Sequence, residues 1–176
     1  MQSRRCVIAN NSIKVGAKTW FEVAPELEFA HFAKLALKNL GITYPKFYKM
    51  DRLCRLGFLA AEYLLAQNPD LRPDERTAIV LCNSSSSFDS DLLHQTNIDQ
   101  PSPAVFVYTL PNIVAGEISI RHGIKGETAF FVGDRDDGYA LQYAVNLLTN
   151  GRASACVAGW VDYTESEYCA ELYWIA

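Results

Sequence analysis

Residues 77–82 read TAIVLC, an apolar run without a single interruption, bounded by polar residues on both sides. A run of this length without alternation suits a strand buried on both faces, which requires a sheet with helices packed against it. Two further runs repeat the pattern, 128–132 (TAFFV) and 154–161 (SACVAGWV). Between them stand segments with helical spacing. In Glu26–Leu40, residues Phe29, Phe32, Ala33, Ala36, Leu37 and Leu40 make one apolar face, with Pro25, Glu26 and Glu28 suited to its start and Gly41 to its end. Asp51–Gln67 carries Leu53, Leu56, Gly57, Ala60, Ala61 and Leu64 on one stripe; Asp51 can cap it and Asn68-Pro69 ends it.

The remaining elements follow by the same rules. Residues 6–9 read as a first strand and 13–23 as a hairpin extending the sheet. Residues 84–87 form a flexible loop, 88–96 a short helix, and Pro101 and Pro103 break the chain. Leu110 or Pro111 opens a helix to about His122, stopped by Gly123. Asp136 or Asp137 caps a helix to Asn150, with Leu141, Ala144, Val145 and Leu148 inward and Gly151 as its end. Residues 168–175 return antiparallel to 154–161 across Thr164-Glu165-Ser166. The expectation is an α/β domain over residues 1–176, a layered mixed β-sheet covered by helices.

Composition narrows the function classes. The net charge of −4 argues against nucleic acid as a partner. Arg4, Arg5, Lys14 and Lys18 lie close in sequence and read as a solvated face. No run approaches a membrane span and no leader pattern opens the chain, so the expected location is cytoplasmic, with no membrane partner. Cys6, Cys54, Cys82, Cys156 and Cys169 show no CxxC spacing and lie in apolar segments, which fits small reduced core residues rather than a metal site. No metal or cofactor is expected.

Thr109 to Gly126 reads TLPNIVAGEISIRHGIKG. This stretch resembles the middle of a β-ketoacyl synthase. Lys49 to Leu53 (KMDRL), Arg76 to Cys82 with the serine loop after it, and Asn150 to Trp160 (NGRASACVAGW) match other parts of that family in the right order. The resemblance spans about residues 45–162 and is strongest from Ser102 to Gly126. It implies a thiolase-like half-domain, the N-terminal half of the family's subunit. It also implies dimerisation near the strand at 128–132, with apolar surface that a second half would otherwise cover.

The resemblance implies a nucleophilic cysteine on the turn after that strand. The turn here reads Gly133-Asp134-Arg135-Asp136-Asp137-Gly138, with Arg135 at the matching position. A guanidinium has no nucleophilic form at neutral pH, and the three acids would raise a thiol's pKa rather than lower it. Arg135 reads as part of a solvated, ion-paired turn. The match ends before the part in which the family carries its catalytic histidines. His31 and His122 read as surface histidines, and neither they nor His94 stand in a catalytic context. Ser84–Ser87 lacks the glycines of a phosphate loop or a hydrolase elbow.

The resemblance is thus to a 3-oxoacyl-[acyl-carrier-protein] synthase without its catalytic residues. It implies a degenerate, chain-length-factor-like subunit of fatty-acid or polyketide assembly, acting beside a full-length ketosynthase and an acyl carrier protein in a homo- or heterodimer. The alternative is a stand-alone homodimeric acyl- or aryl-binding module, for which Tyr139, Tyr143, Trp160, Tyr163, Tyr168, Tyr173 and Trp174 supply candidate pocket walls.

Overall fold

The computed structural model describes residues 5–66, 68 and 70–176. Arg4, Gln67 and Pro69, named above, lie outside them, as does the side chain of Asp136. Seven strands form one mixed sheet: β1 (Arg5–Ala9), β2 (Ser12–Val15), β3 (Lys18–Glu22), β4 (Thr77–Asn83), β5 (Thr128–Val132), β6 (Ala155–Tyr163) and β7 (Tyr168–Ile175). Their order across the sheet is β3-β2-β1-β7-β6-β4-β5. β4 runs parallel to both β5 and β6, while β6, β7, β1, β2 and β3 pair antiparallel in succession. The layered mixed sheet expected from the apolar runs is present, and β4 is buried at every position.

The helices are α1 (Phe29–Asn39), α2 (Arg52–Ala66), α3 (Phe88–Thr96), α4 (Pro103–Val107), α5 (Ile113–His122) and α6 (Tyr139–Thr149). Strand residues alternate between two cores. Cys6, Ile8, Ile79, Leu81, Val157, Ala170 and Leu172 pack with α1, α2 and α5. Ala78, Val80, Cys82, Cys156 and Ala158 face α6 instead. α2 lies at the centre of the larger core. Asp51 caps it as expected, accepting from the Cys54 amide at 2.8 Å, and its other oxygen accepts from the Ser90 hydroxyl at 2.8 Å, which ties α3 to α2. Gly57 lets α5 close on α2, because a Cβ there would stand 2.3 Å from Val114 Cγ2.

Several expectations are corrected. α1 begins at Phe29 rather than Glu26. The reason is Asn11, whose side-chain amide donates to the carbonyls of Ala24 (2.9 Å), Pro25 (3.2 Å) and Leu27 (2.8 Å) and so withholds them from a helix. Pro103 does not break a segment but opens α4, since proline at the first helical position sacrifices no needed N–H, and the Ser102 hydroxyl accepts from the Val105 amide at 3.4 Å. α5 starts at Ile113, after a turn closed by the Ile113 amide on Leu110 O at 3.1 Å.

The strand 128–132 is not buried on both faces. It forms the sheet edge, with Thr128 and Val132 exposed. The helix after it has Gly138 at its N-cap rather than Asp137: a single 3₁₀ turn, Arg135–Asp137, ends at Gly138 in the left-handed region (φ 64°), and α6 starts at Tyr139. Its buried face is Ala140, Ala144 and Leu147; Leu141 and Val145 point outward, 36% and 52% exposed.

Candidate functional site

The turn after β5 sets Arg135 over the α6 side of the sheet. Register explains what it meets. Trp160 of β6 lies between Cys82 of β4 and Glu171 of β7, and all three point toward α6, away from the larger core. Gly159 permits the close approach of β7 beside them: its φ is 150°, and a Cβ there would stand 2.0 Å from Glu171 O. Arg135 Nη2 donates to Glu171 Oε2 at 2.6 Å, and its guanidinium carbon lies 5.9 Å from the Trp160 ring centre. Arg5 of β1 pairs with the other Glu171 oxygen at 2.6 Å, and the Tyr173 hydroxyl donates to that same oxygen.

Burial alone would raise the Glu171 carboxyl. The Tyr173 hydroxyl, Arg135 and Arg5 outweigh it and hold the group below its ordinary value, as the carboxylate. Two expectations change here. Arg135 is ion-paired, but to a residue 36 positions away in sequence, across the sheet. Arg5 is not part of a merely solvated basic face; it completes this network, while Lys14 and Lys18 are exposed and Lys18 sits 3.7 Å over the Trp20 ring.

Arg135, Cys82, Tyr139, Trp160, Glu171 and Tyr173 border a recess of about 110 Å³. A second, of about 210 Å³, lies beside Arg135, Trp160, Ser84, Asp162 and Cys169. Two thiols therefore stand close to Arg135. Burial raises the Cys82 thiol, and Asp137 and Asp162 add to the shift. Burial also raises Cys169, with Arg135 opposing. Both are held protonated at neutral pH, the non-nucleophilic form. The proximity of Cys169 and Glu171 to Arg135 was missed from sequence, since it depends on the β6–β7 register. Cys6, Cys54, Cys82 and Cys156 are buried as expected; Cys169 is half-buried, on the sheet face that it shares with Glu171, beside the second recess.

The other singled-out residues do not join this site. His31 is exposed on α1, and His122 ends α5; both helices pack on the opposite face of the sheet. His122 is not a surface histidine. Its side chain is 16% exposed, with Nε2 3.3 Å from Glu62 Oε1, and Arg121 donates to the same carboxylate at 2.6 Å. His94 of α3 packs against Phe106, ring centres 5.5 Å apart.

The serine loop is tethered rather than slack. Ser84 Oγ donates to Asp162 at 2.8 Å, Ser86 N to Asn83 Oδ1 at 2.9 Å, and Ser87 Oγ to Thr109 O at 2.7 Å. The C-terminal aromatics divide between the two faces. Trp160, Tyr139 and Tyr173 edge the recess at Arg135, whereas Tyr163, Tyr168 and Trp174 pack with the larger core, where Tyr163 and Tyr168 stack near Phe29. They do not line one pocket. Among the described residues, no group of three acidic, histidine or cysteine side chains could hold a metal ion, and no helix is long and apolar enough to cross a membrane.

Comparison with known proteins places this geometry. Residues 36–172 match the beta-ketoacyl synthase N-terminal domain. A search of curated protein sequences finds no match. Among solved structures, the ishigamide ketosynthase/chain length factor superposes with a TM-score of 0.70 at 20% identity, over 97% of this chain and 60% of that one. A ketosynthase in complex with its chain length factor from Xenorhabdus doucetiae gives 0.55 at 16% identity, over 86% and 74%. A beta-ketoacyl synthase from Burkholderia phymatum gives 0.61 at 16% identity, over 76% and 44%. The fold is therefore that of the thiolase-like ketosynthases, and the chain spans about 60% of the length of the first of these structures.

Proposed function

The chain belongs to the β-ketoacyl synthase family by its N-terminal domain, and from that premise we propose that it is a non-catalytic, chain-length-factor-like component of polyketide or fatty-acid assembly, residues 1–176 acting as one domain. The observation that carries this reading is the ion pair between Arg135 and Glu171. In this reading Arg135, paired with Glu171, stands at the position that matches the family's nucleophile. A condensing enzyme requires a thiolate there, activated at a helix start. The two thiols nearest to it are raised in pKa.

A component without its own chemistry acts through a partner. The face around α6 carries Val132, Tyr139 and Val145, each about half exposed, and an apolar surface of this kind is suited to burial against another subunit. The partners in this reading are a full-length ketosynthase and an acyl carrier protein. Support for both comes from similar proteins: one solved neighbour is a ketosynthase with its chain length factor, and another is a type II acyl-carrier protein in complex with its ketosynthase. The division of the aromatics between two faces weighs against the acyl- or aryl-binding alternative.

The test is co-expression with a ketosynthase encoded nearby, followed by pull-down and product analysis. Stable co-purification and a changed product length on deletion are expected. A self-associated dimer alone, with product length unaltered by deletion, would sink the reading.

A further inference from the structure

Arg135 and Trp160 border both recesses described above, and no other lining residue does. The cleft beside the turn 133–138 is therefore divided by two side chains, of which one is apolar. Trp160 stands within β6, paired with Cys82 of β4 on one side and Glu171 of β7 on the other, so its backbone is fixed across the sheet. It packs against the core beneath α6, and the Arg135 guanidinium, itself held by Glu171, lies 5.9 Å from its ring centre. The indole is clamped as a partition rather than left free to swing.

Neither recess suits a ring by itself. The first, about 110 Å³, has apolar walls in Tyr139, Leu141 and Tyr173, but it is smaller than the apolar cavity of about 150 Å³ that takes up benzene. The second, about 210 Å³, is lined by Ser84, Asp162, Thr164 and Glu167, which makes it too polar for an apolar ligand alone. The indole between them has the shape of the flat group that the joined cleft would hold. Arg135 is neutralised by Glu171, whereas Asp162 and Glu167 have no cation within ion-pair distance among the described residues. The surrounding charge therefore favours a neutral ring over an anionic one.

The structure assigns to Trp160 the part of an internal ligand: its indole fills a site for a neutral aromatic ring and keeps the cleft beside Arg135 closed. This deepens the non-catalytic reading and rests on it for its meaning, since the cleft is then shut by a side chain of β6 as well as lacking a nucleophile. The two can fail separately. Acylation of the unaltered protein would sink that reading and leave the site, while ring binding bears on the site alone.

The probe is indole, titrated by calorimetry into the intact protein and into Trp160→Gly. The variant should bind it saturably at one site, and its melting midpoint should rise with indole concentration; the unaltered protein should show neither. Indole-3-carboxylate should bind the variant at least about tenfold more weakly, because Glu171, Asp162 and Glu167 border the cleft. Trp160→Val keeps a residue at home in strands and tests the same site if the glycine variant does not fold; it should take up benzene but not indole. The proposal is overturned if the unaltered protein binds indole as well as the variant does, if neither variant takes up its ring while folded by circular dichroism, or if indole-3-carboxylate binds as tightly as indole.

Discussion

Arg135 Nη2 and Glu171 Oε2 stand 2.6 Å apart, joining the turn before α6 to the seventh strand of the sheet. The pair is charge-assisted, and Glu171 also receives Arg5 and the Tyr173 hydroxyl. A cation one turn before a helix start faces the positive end of the helix, which is unfavourable unless an anion compensates it. Glu171 is that anion.

The carboxyl of Glu171 is lowered in the folded state, so its contribution to stability has a definite sign. It is fully present above the ordinary glutamate value and is lost as pH falls through the lowered one. Urea midpoints measured from neutral to acid pH should show Glu171→Gln less stable than the unaltered protein at neutrality. The gap should close on acidification. A gap that stays constant with pH would mean that the ion pair contributes nothing through its charge.

Incubation with acyl-coenzyme A should leave the intact mass unchanged. Cys82 and Cys169, the thiols nearest Arg135, are both raised in pKa, first by burial. Replacing Arg135 by cysteine should not create a rapidly acylated site, because the new thiol would face Glu171 and Asp137. Stoichiometric acylation of the unaltered protein at any cysteine would show that condensing chemistry survives.

The fold was largely legible because its strong signals were an unbroken apolar run and helical apolar stripes. TAIVLC became the buried β4, and the helix stripes became α1 and α2. Errors fell where two solutions share one local pattern. In α6, Ala140 with Ala144 and Leu141 with Val145 have the same spacing, and only the position of the sheet decides which pair is buried. In β5, TAFFV is apolar enough for a central strand, yet its place at the sheet edge comes from strand order. The partner of Arg135 was not readable from the turn that carries it. Glu171 reaches it only because β6 and β7 pair with Trp160 opposite Glu171.

His122 was misread for a related reason: the end of a helix is usually solvated, but here Glu62 of α2 lies against it. Burial lowers the imidazole below its ordinary value of 6.5, Arg121 adds to this, and Glu62 opposes it. The folded state therefore binds this proton less readily than the unfolded chain. Stability should decline as pH falls below about 6.5 and level off below the depressed value. His122→Gln should flatten that part of the stability profile. Proton NMR titration of His122 should give a midpoint below the ordinary value of 6.5; a midpoint above it would refute the assignment.

Gly57→Ala tests the contact between α2 and α5. The added methyl would meet Val114 Cγ2 at 2.3 Å, and Val114 is fully buried and β-branched, so it cannot swing away. Overpacking of this kind costs about 1–3 kcal/mol, which exceeds the gain in helix propensity of alanine over glycine, about 1 kcal/mol. The double variant Gly57→Ala/Val114→Ala should recover part of the loss. No recovery in thermal melts would place the strain elsewhere.

Asn11 carries the last prediction. It sits in the tight β1–β2 turn with φ 55°, is 2% exposed, and accepts from the Tyr168 hydroxyl while donating to three carbonyls ahead of α1. Asparagine tolerates the left-handed backbone, and its amide both donates and accepts. Asn11→Ala loses the side-chain bonds and strains the turn, at a cost of about 2 kcal/mol or more. Asn11→Asp keeps an acceptor for Tyr168 but points a carboxylate at the carbonyls of Ala24, Pro25 and Leu27, so it should be at least as damaging as alanine at neutral pH. Asn11→Gly relaxes the backbone but still leaves the carbonyls without their donor. The expected order of chemical-denaturation midpoints is therefore asparagine above glycine, and glycine above both alanine and aspartate. A glycine variant as stable as the unaltered protein would show that the turn conformation, and not the carbonyl contacts, is what Asn11 provides.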